Sequence, residues 1–146
     1  MIQIANICQV YGEDEPFVRN VFTLNTCAPI VGTQVFSFQK EEDLLYAWRE
    51  FVRLVDPDII TGYNIITFDF PYLITRSHAL KMTDFAMFGR VRDSSTRVKD
   101  TTFTSRMLGT RETKEINIEG RIQFDMIQYI IREHKLRSYT LNSVSA

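Results

Sequence analysis

The run Asp56–Leu73, DPDIITGYNIITFDFPYL, constrains the fold more than any other stretch, because its hydrophobic period changes within it. Residues 58–63 are β-branched and aromatic, the composition of a strand. Phe70, Leu73, Ile74, Ser77 and Leu80 then recur at helical spacing, and the switch falls at Asp69. Pro71 suits a first helical turn, where its missing N–H costs nothing, and Asp69 stands where a side-chain oxygen caps free backbone donors. A strand running straight into a helix is the unit of α/β architecture. The junction places an ionised carboxylate, Asp69, and an aromatic ring, Phe68, beside a cleft that also receives Asn64.

The flanking sequence supplies more of the same elements. Ile2–Val10 and Phe17–Leu24 read as a β-hairpin turning over Gly12–Pro16, and Gln34–Phe38 as a third strand. In Glu41–Val55 the residues Leu44, Leu45, Trp48, Phe51, Val52 and Val55 share one helical face. Glu41, Glu42 and Asp43 open that helix and Arg49 and Arg53 follow, the order its dipole favours. Trp48 and Phe51 have base-stacking chemistry, but their helical spacing assigns them to a core. Asp84–Lys99 has loop character, and Thr101–Met107 and Glu115–Asp125 read as two strands about a turn at Gly109, with a bulge at Gly120. Asp125 precedes Met126, Ile127, Ile130 and Ile131 and so repeats the strand-to-helix placement of Asp69. That makes it a candidate second metal ligand, although helix capping accounts for it fully. Leu136–Ala146 reads as a last helix capped by Ser138. Without repeats or linker composition, residues 1–146 read as one domain.

At 45% hydrophobic and 24% charged over 146 residues, the chain can bury a core and falls outside the disordered and membrane classes. The first ten residues carry no basic n-region, and Gln3, Asn6 and Gln9 interrupt their apolar run, so they do not read as a signal peptide. Cys8 and Cys27 are too few and too far apart for a zinc site or a disulfide framework, and are expected reduced and buried in an intracellular protein. The net charge of −1 argues against a generic nucleic-acid binder, yet it is unevenly spread. Residues 1–75 hold four Lys or Arg against ten Asp or Glu, and residues 76–146 hold thirteen against eight. Arg90, Arg92, Arg97, Lys99, Arg106 and Arg111 lie in a Ser- and Thr-rich segment suited to phosphate contacts. A solvated surface explains them equally well.

The pattern Asn-x-x-x-Phe-Asp at 64–69, after Asp-Pro-Asp-Ile-Ile-x-Gly-Tyr at 56–63, resembles the second exonuclease motif of the family B DNA polymerases. PFVRNVFTLNTCAPI (16–30), GTRETKEINIEGRIQFD (109–125) and HKLRSYTLNSVSA (134–146) resemble a eukaryotic replicative member of that family, so the likeness covers essentially the whole chain. It implies part of a ribonuclease H-like 3′–5′ exonuclease domain: an α/β fold with a mixed sheet and flanking helices, incomplete here. It also implies nuclear proofreading by two divalent metals, Mg²⁺ or Mn²⁺. Asp69 matches a catalytic, metal-binding carboxylate. Asn64 and Phe68 match positions lining the path of a single-stranded primer 3′ end. The implied partners are DNA, the remainder of a polymerase chain and its accessory subunits, with no membrane.

Two family motifs are absent. No Asp here has a Glu two places on, so the first motif, Asp-x-Glu, is missing, and the nearest approach to the third, Tyr-x-x-x-Asp, is Tyr129 with Glu133. By resemblance the first would lie just before Met1 and the third beyond Ala146. Two-metal hydrolysis needs several hard oxygens converging on two cations, and Mg²⁺ sheds its waters reluctantly, so a single Asp leaves this chain catalytically silent on its own. The alternative is a non-catalytic single-stranded DNA-binding module built on Phe68 and the basic half. A nucleotide-binding α/β domain is disfavoured, because no Gly-rich phosphate loop follows any strand.

Overall fold

The computed structural model describes residues 2–105 and 109–145. Strands β1 (Gln3–Cys8) and β2 (Val18–Leu24) form the expected antiparallel hairpin, and β3 (Gln34–Phe38) joins β2 in parallel, giving a mixed three-stranded sheet ordered β1-β2-β3. Helix α1 (Glu41–Val55) lies over it with Leu44, Leu45, Trp48 and Val52 buried, the face that its spacing predicts. The dock has a polar pin as well as an apolar one. The Trp48 indole N–H donates to Asn6 Oδ1 at 3.0 Å, and the Asn6 amide donates to the buried Asn20 at 2.9 Å, so no polar atom is stranded between helix and sheet. Phe22 packs its ring against Phe36, Phe38 and Phe51 with centroids 5.2–6.1 Å apart.

After α1, Asp56 turns the chain with a left-handed backbone (φ 51°) and leads into β4 (Ile59–Gly62). A widened, π-helical turn over Ile65–Asp69 runs without a break into α2 (Phe70–Ala79). The helical segment therefore begins four residues earlier than the period switch at Asp69 indicates. In a regular α-helix the Pro71 ring would collide with the carbonyl of Thr67, and the wide turn before it relieves that clash. Gly62 is required here, since a Cβ on it would lie 2.5 Å from Ile65 Cγ2.

Residues 84–96 make a loop, but a buried one. Phe85 and Phe88 are fully enclosed and stack around Trp48 and Phe70. Such a loop survives only if its backbone finds partners. Arg49 donates to Asp84 O at 2.9 Å, Arg121 to Phe88 O at 3.0 Å, and the N–H groups of Thr96 and Arg90 reach Ala86 O and Glu119 O.

Strands β5 (Arg97–Ser105) and β6 (Gly109–Asn117) pair antiparallel, and β7 (Ile122–Asp125) pairs parallel with β4. The expected single strand Glu115–Asp125 is thus two strands in different ladders. Gly120 (φ +82°) is the turn between them and not a bulge, closed by Arg121 N–H on Ile118 O at 3.0 Å. Met107, the expected end of the first strand, lies outside the described residues.

Helix α3 (Met126–Glu133) follows as expected, but the last helix, α4, is only Leu141–Val144 and starts after Thr140, not at Ser138. The Tyr139 hydroxyl explains the shortening. It receives Leu136 N–H and donates to His134 O, while Tyr63 Oη–H donates to Tyr139 O, which holds residues 134–139 in a turn. Ala146 lies outside the described residues. The cysteines are free, but Cys27 is exposed and Cys8 half-buried, contrary to the expectation that both are buried. Cys27 stands in the loop after β2, and Cys8 ends β1, an edge strand of its sheet. No helix among the described residues is long and apolar enough to cross a membrane.

Candidate active site

The parallel ladder β4–β7 ends with Gly62 opposite Asp125. Both chains then turn into helices at the same edge, so the two strand-to-helix junctions read in the sequence stand side by side. Asn64 takes the left-handed backbone (φ 63°, ψ 27°) that Asn tolerates better than most residues, and its side-chain oxygen receives the Thr67 hydroxyl. Phe68 projects into solvent, 64% exposed, with its ring stacked on Tyr72 at 6.5 Å and 16°. Asp69 follows on the same turn and is exposed.

The expected capping role of Asp69 is not what the structure contains. Its backbone is helical (φ −64°, ψ −54°) and its side chain caps nothing. The capping carboxylate is Asp125, whose Oδ1 accepts Asn64 N–H at 2.7 Å and Ile127 N–H at 3.2 Å, and whose Oδ2 accepts Ile66 N–H at 3.0 Å. One buried side chain thereby serves the start of α3 and the start of the π-helical turn 59–61 residues earlier. Sequence reasoning saw the first half of this role. The repeated placement of Asp after a strand was the signal, but the partner segment is set by strand pairing.

Although the residue as a whole is exposed, partial desolvation of the Asp69 carboxyl pushes its pKa above the ordinary value, and the negative charge of nearby Asp125 adds to the push. Among the described residues no group of three or more His, Cys, Asp or Glu is placed to hold a metal ion. Asp69 offers a free hard oxygen, whereas both oxygens of Asp125 are already occupied by N–H donors. The donor set therefore fits one ligand of a divalent cation and does not fit a two-metal centre.

Of the expected basic stripe, Arg90 is committed to local pairing. Arg90 binds the Asp56 and Asp58 carboxylates at 2.7 Å each. Arg97 and Lys99 share a groove of about 370 Å³ with Asp93, Glu115 and Glu119, so that surface is mixed in charge. Arg106 and the side chain of Arg111 lie outside the described residues.

Residues 1–144 match the model of the DNA polymerase family B exonuclease domain. The chain belongs to that family. Over its full length it is 58% identical to the "DNA polymerase delta catalytic subunit" of Oryza sativa subsp. japonica and 57% identical to that of Candida albicans. Over 145 residues it is 52% identical to the protein of the same name from Drosophila melanogaster. This family B exonuclease segment spans only 13–14% of the length of those relatives. Its mixed α/β architecture is consistent with that membership.

Proposed function

We propose that residues 1–146 form part of the ribonuclease H-like 3′–5′ proofreading exonuclease domain of a nuclear replicative DNA polymerase, working within a longer chain. The observation that carries the reading is the single turn Asn64–Asp69, which presents a polar amide, an exposed ring and a free carboxylate at the edge of a parallel ladder. Ligand sites of open α/β sheets form at such strand ends. The family match supports the assignment.

Each side chain has a distinct task in this reading. A mispaired primer end frays because its unpairing costs little, and the freed single strand enters the cleft. Phe68, backed by Tyr72, stacks on the terminal nucleotide, a contact that tolerates any base. Asn64 hydrogen-bonds the strand close to the scissile phosphate. Asp69 would give one oxygen ligand to a Mg²⁺ or Mn²⁺ pair whose remaining carboxylates come from elsewhere in the polymerase, and such a pair would supply activated water and charge stabilisation for phosphodiester hydrolysis. Polymerisation and the binding of accessory subunits belong to other parts of such a chain.

The test uses two proteins. In a complete polymerase carrying this segment, Asp69→Ala should abolish release of nucleotides from a mispaired 3′ end while nucleotide incorporation continues. The 146-residue chain alone should release none. Metal-dependent hydrolysis by the isolated chain that Asp69→Ala removes would falsify the claim that further carboxylates are needed. Salt-sensitive strand binding with no hydrolysis in the complete polymerase would favour a non-catalytic DNA-binding module instead.

A further inference from the structure

Asp125 is 5% exposed, yet it carries a carboxylate between two segments of opposite ladder strands. Burying a charge is costly unless it is fully hydrogen-bonded. Its three backbone donors meet that need: Asn64 N–H at 2.7 Å, Ile66 N–H at 3.0 Å and Ile127 N–H at 3.2 Å. Helix α3 needs only the last of these, because an N-cap side chain satisfies one donor of its own helix. The other two belong to the turn that presents Asn64, Phe68 and Asp69. That turn holds a non-glycine residue at positive φ and a widened helical turn, both of which a free chain abandons readily. Among the described residues no other side chain accepts from these two amides, and Thr67, which bonds Asn64 Oδ1, is itself part of the turn.

We propose that Asp125 is a positioning residue for the exonuclease site. It clamps the turn Asn64–Asp69 to the end of β7, and so fixes the geometry in which Asn64 and Phe68 grip a single strand. In this role its carboxylate is held by three backbone N–H donors, with no cation required. The proposal rests on the function assigned above to that turn.

The decisive variant is Asp125→Ser. Serine is a good N-cap and keeps the Ile127 contact, but its single short oxygen does not reach across to Asn64 and Ile66. In the complete polymerase, hydrogen exchange at the Asn64 and Ile66 amides should accelerate about tenfold or more, the worth of one hydrogen bond to a charged group. Ile127 should keep its protection. The KM for exonuclease digestion of a single strand should rise about tenfold, with kcat within about threefold, because saturating substrate restores the turn. Partial unfolding would instead lower kcat and leave KM alone. If Asp125→Ser does not fold, Asp125→Asn replaces one accepting oxygen by an NH₂ group, and at least one of the two amides should lose protection as KM rises.

Unchanged exchange at both amides overturns the proposal, as does an unchanged KM. Loss of kcat as complete as that of Asp69→Ala, with KM unmoved, would make Asp125 a ligand and also overturn it. Retention of exonuclease activity by Asp69→Ala would sink the functional assignment itself, and the exchange data would still judge the clamp.

Discussion

The Arg121 guanidinium lies 2.7 Å from Asp56 Oδ1, joining the turn after β6 to the left-handed residue that ends α1. The same guanidinium donates to Phe88 O and Pro57 O, and its side chain is 2% exposed. Asp56 itself faces solvent, and Arg90 and then Arg121 hold its carboxyl below the ordinary range. The stabilising share of this cluster therefore lies with the buried arginine and the two carbonyls that it satisfies. Arg121→Met should leave both carbonyls without a donor and cost on the order of 2–3 kcal/mol, read from urea unfolding. Asp56→Asn should cost clearly less, and the opposite ranking would refute this division.

Glu41 accepts two hydrogen bonds from Arg76, at 2.8 and 2.6 Å, tying the first turn of α1 to α2. The Glu41 carboxyl is lowered from 4.5 to about 2, chiefly by its hydrogen bonds from the Arg76 guanidinium. A carboxyl depressed in the folded state contributes stability that is complete above its unfolded value and disappears as pH falls through its folded value. Stability should thus decline between about pH 4.5 and pH 2 on account of this pair. Glu41→Gln should flatten that part of the acid-unfolding curve and leave its shape above pH 5 unchanged, on the linkage argument above.

Phe68 carries little of the fold, being 64% exposed. Phe68→Ala should change unfolding free energy by no more than about 0.5 kcal/mol. In the complete polymerase it should weaken single-strand binding by about 1–3 kcal/mol, measured by fluorescence anisotropy without metal. Equal affinity of variant and parent would remove the stacking role.

Gly62 has no room for a methyl group, because Ile65 is buried against it. Gly62→Ala should push Ile65 and the turn behind it, costing about 1–3 kcal/mol in thermal unfolding. Because the colliding atom is Ile65 Cγ2, a Gly62→Ala, Ile65→Ala double variant, which removes that atom, should lose less than the sum of the two single variants. Additive losses would argue against the collision.

Strand β1 is an edge, and Ile7 on its outer face is 72% exposed. An open apolar edge is a template for pairing with another chain. Sedimentation of the isolated 146-residue chain should show association that grows with concentration, and Ile7→Lys should suppress it. A parent chain that stays monomeric and melts sharply and independently of concentration would contradict this.

By itself the sequence determined the elements whose signal is local: the β1–β2 hairpin, the apolar face of α1 through Leu44, Leu45, Trp48 and Val52, and the strand-to-helix junction at Asp125. Period and composition suffice there because each element buries one face. It also carried the motif that points to Asn64, Phe68 and Asp69. Only the tertiary structure decided which carboxylate caps, since the donors that Asp125 serves are brought to it by the parallel pairing of β4 with β7. It likewise split Glu115–Asp125 at Gly120, committed Arg90 and Arg121 to Asp56, and cut the last helix short at Tyr139. Hydrogen-bond partners many residues apart leave no periodic trace in a chain, so strand pairing and burial had to choose them.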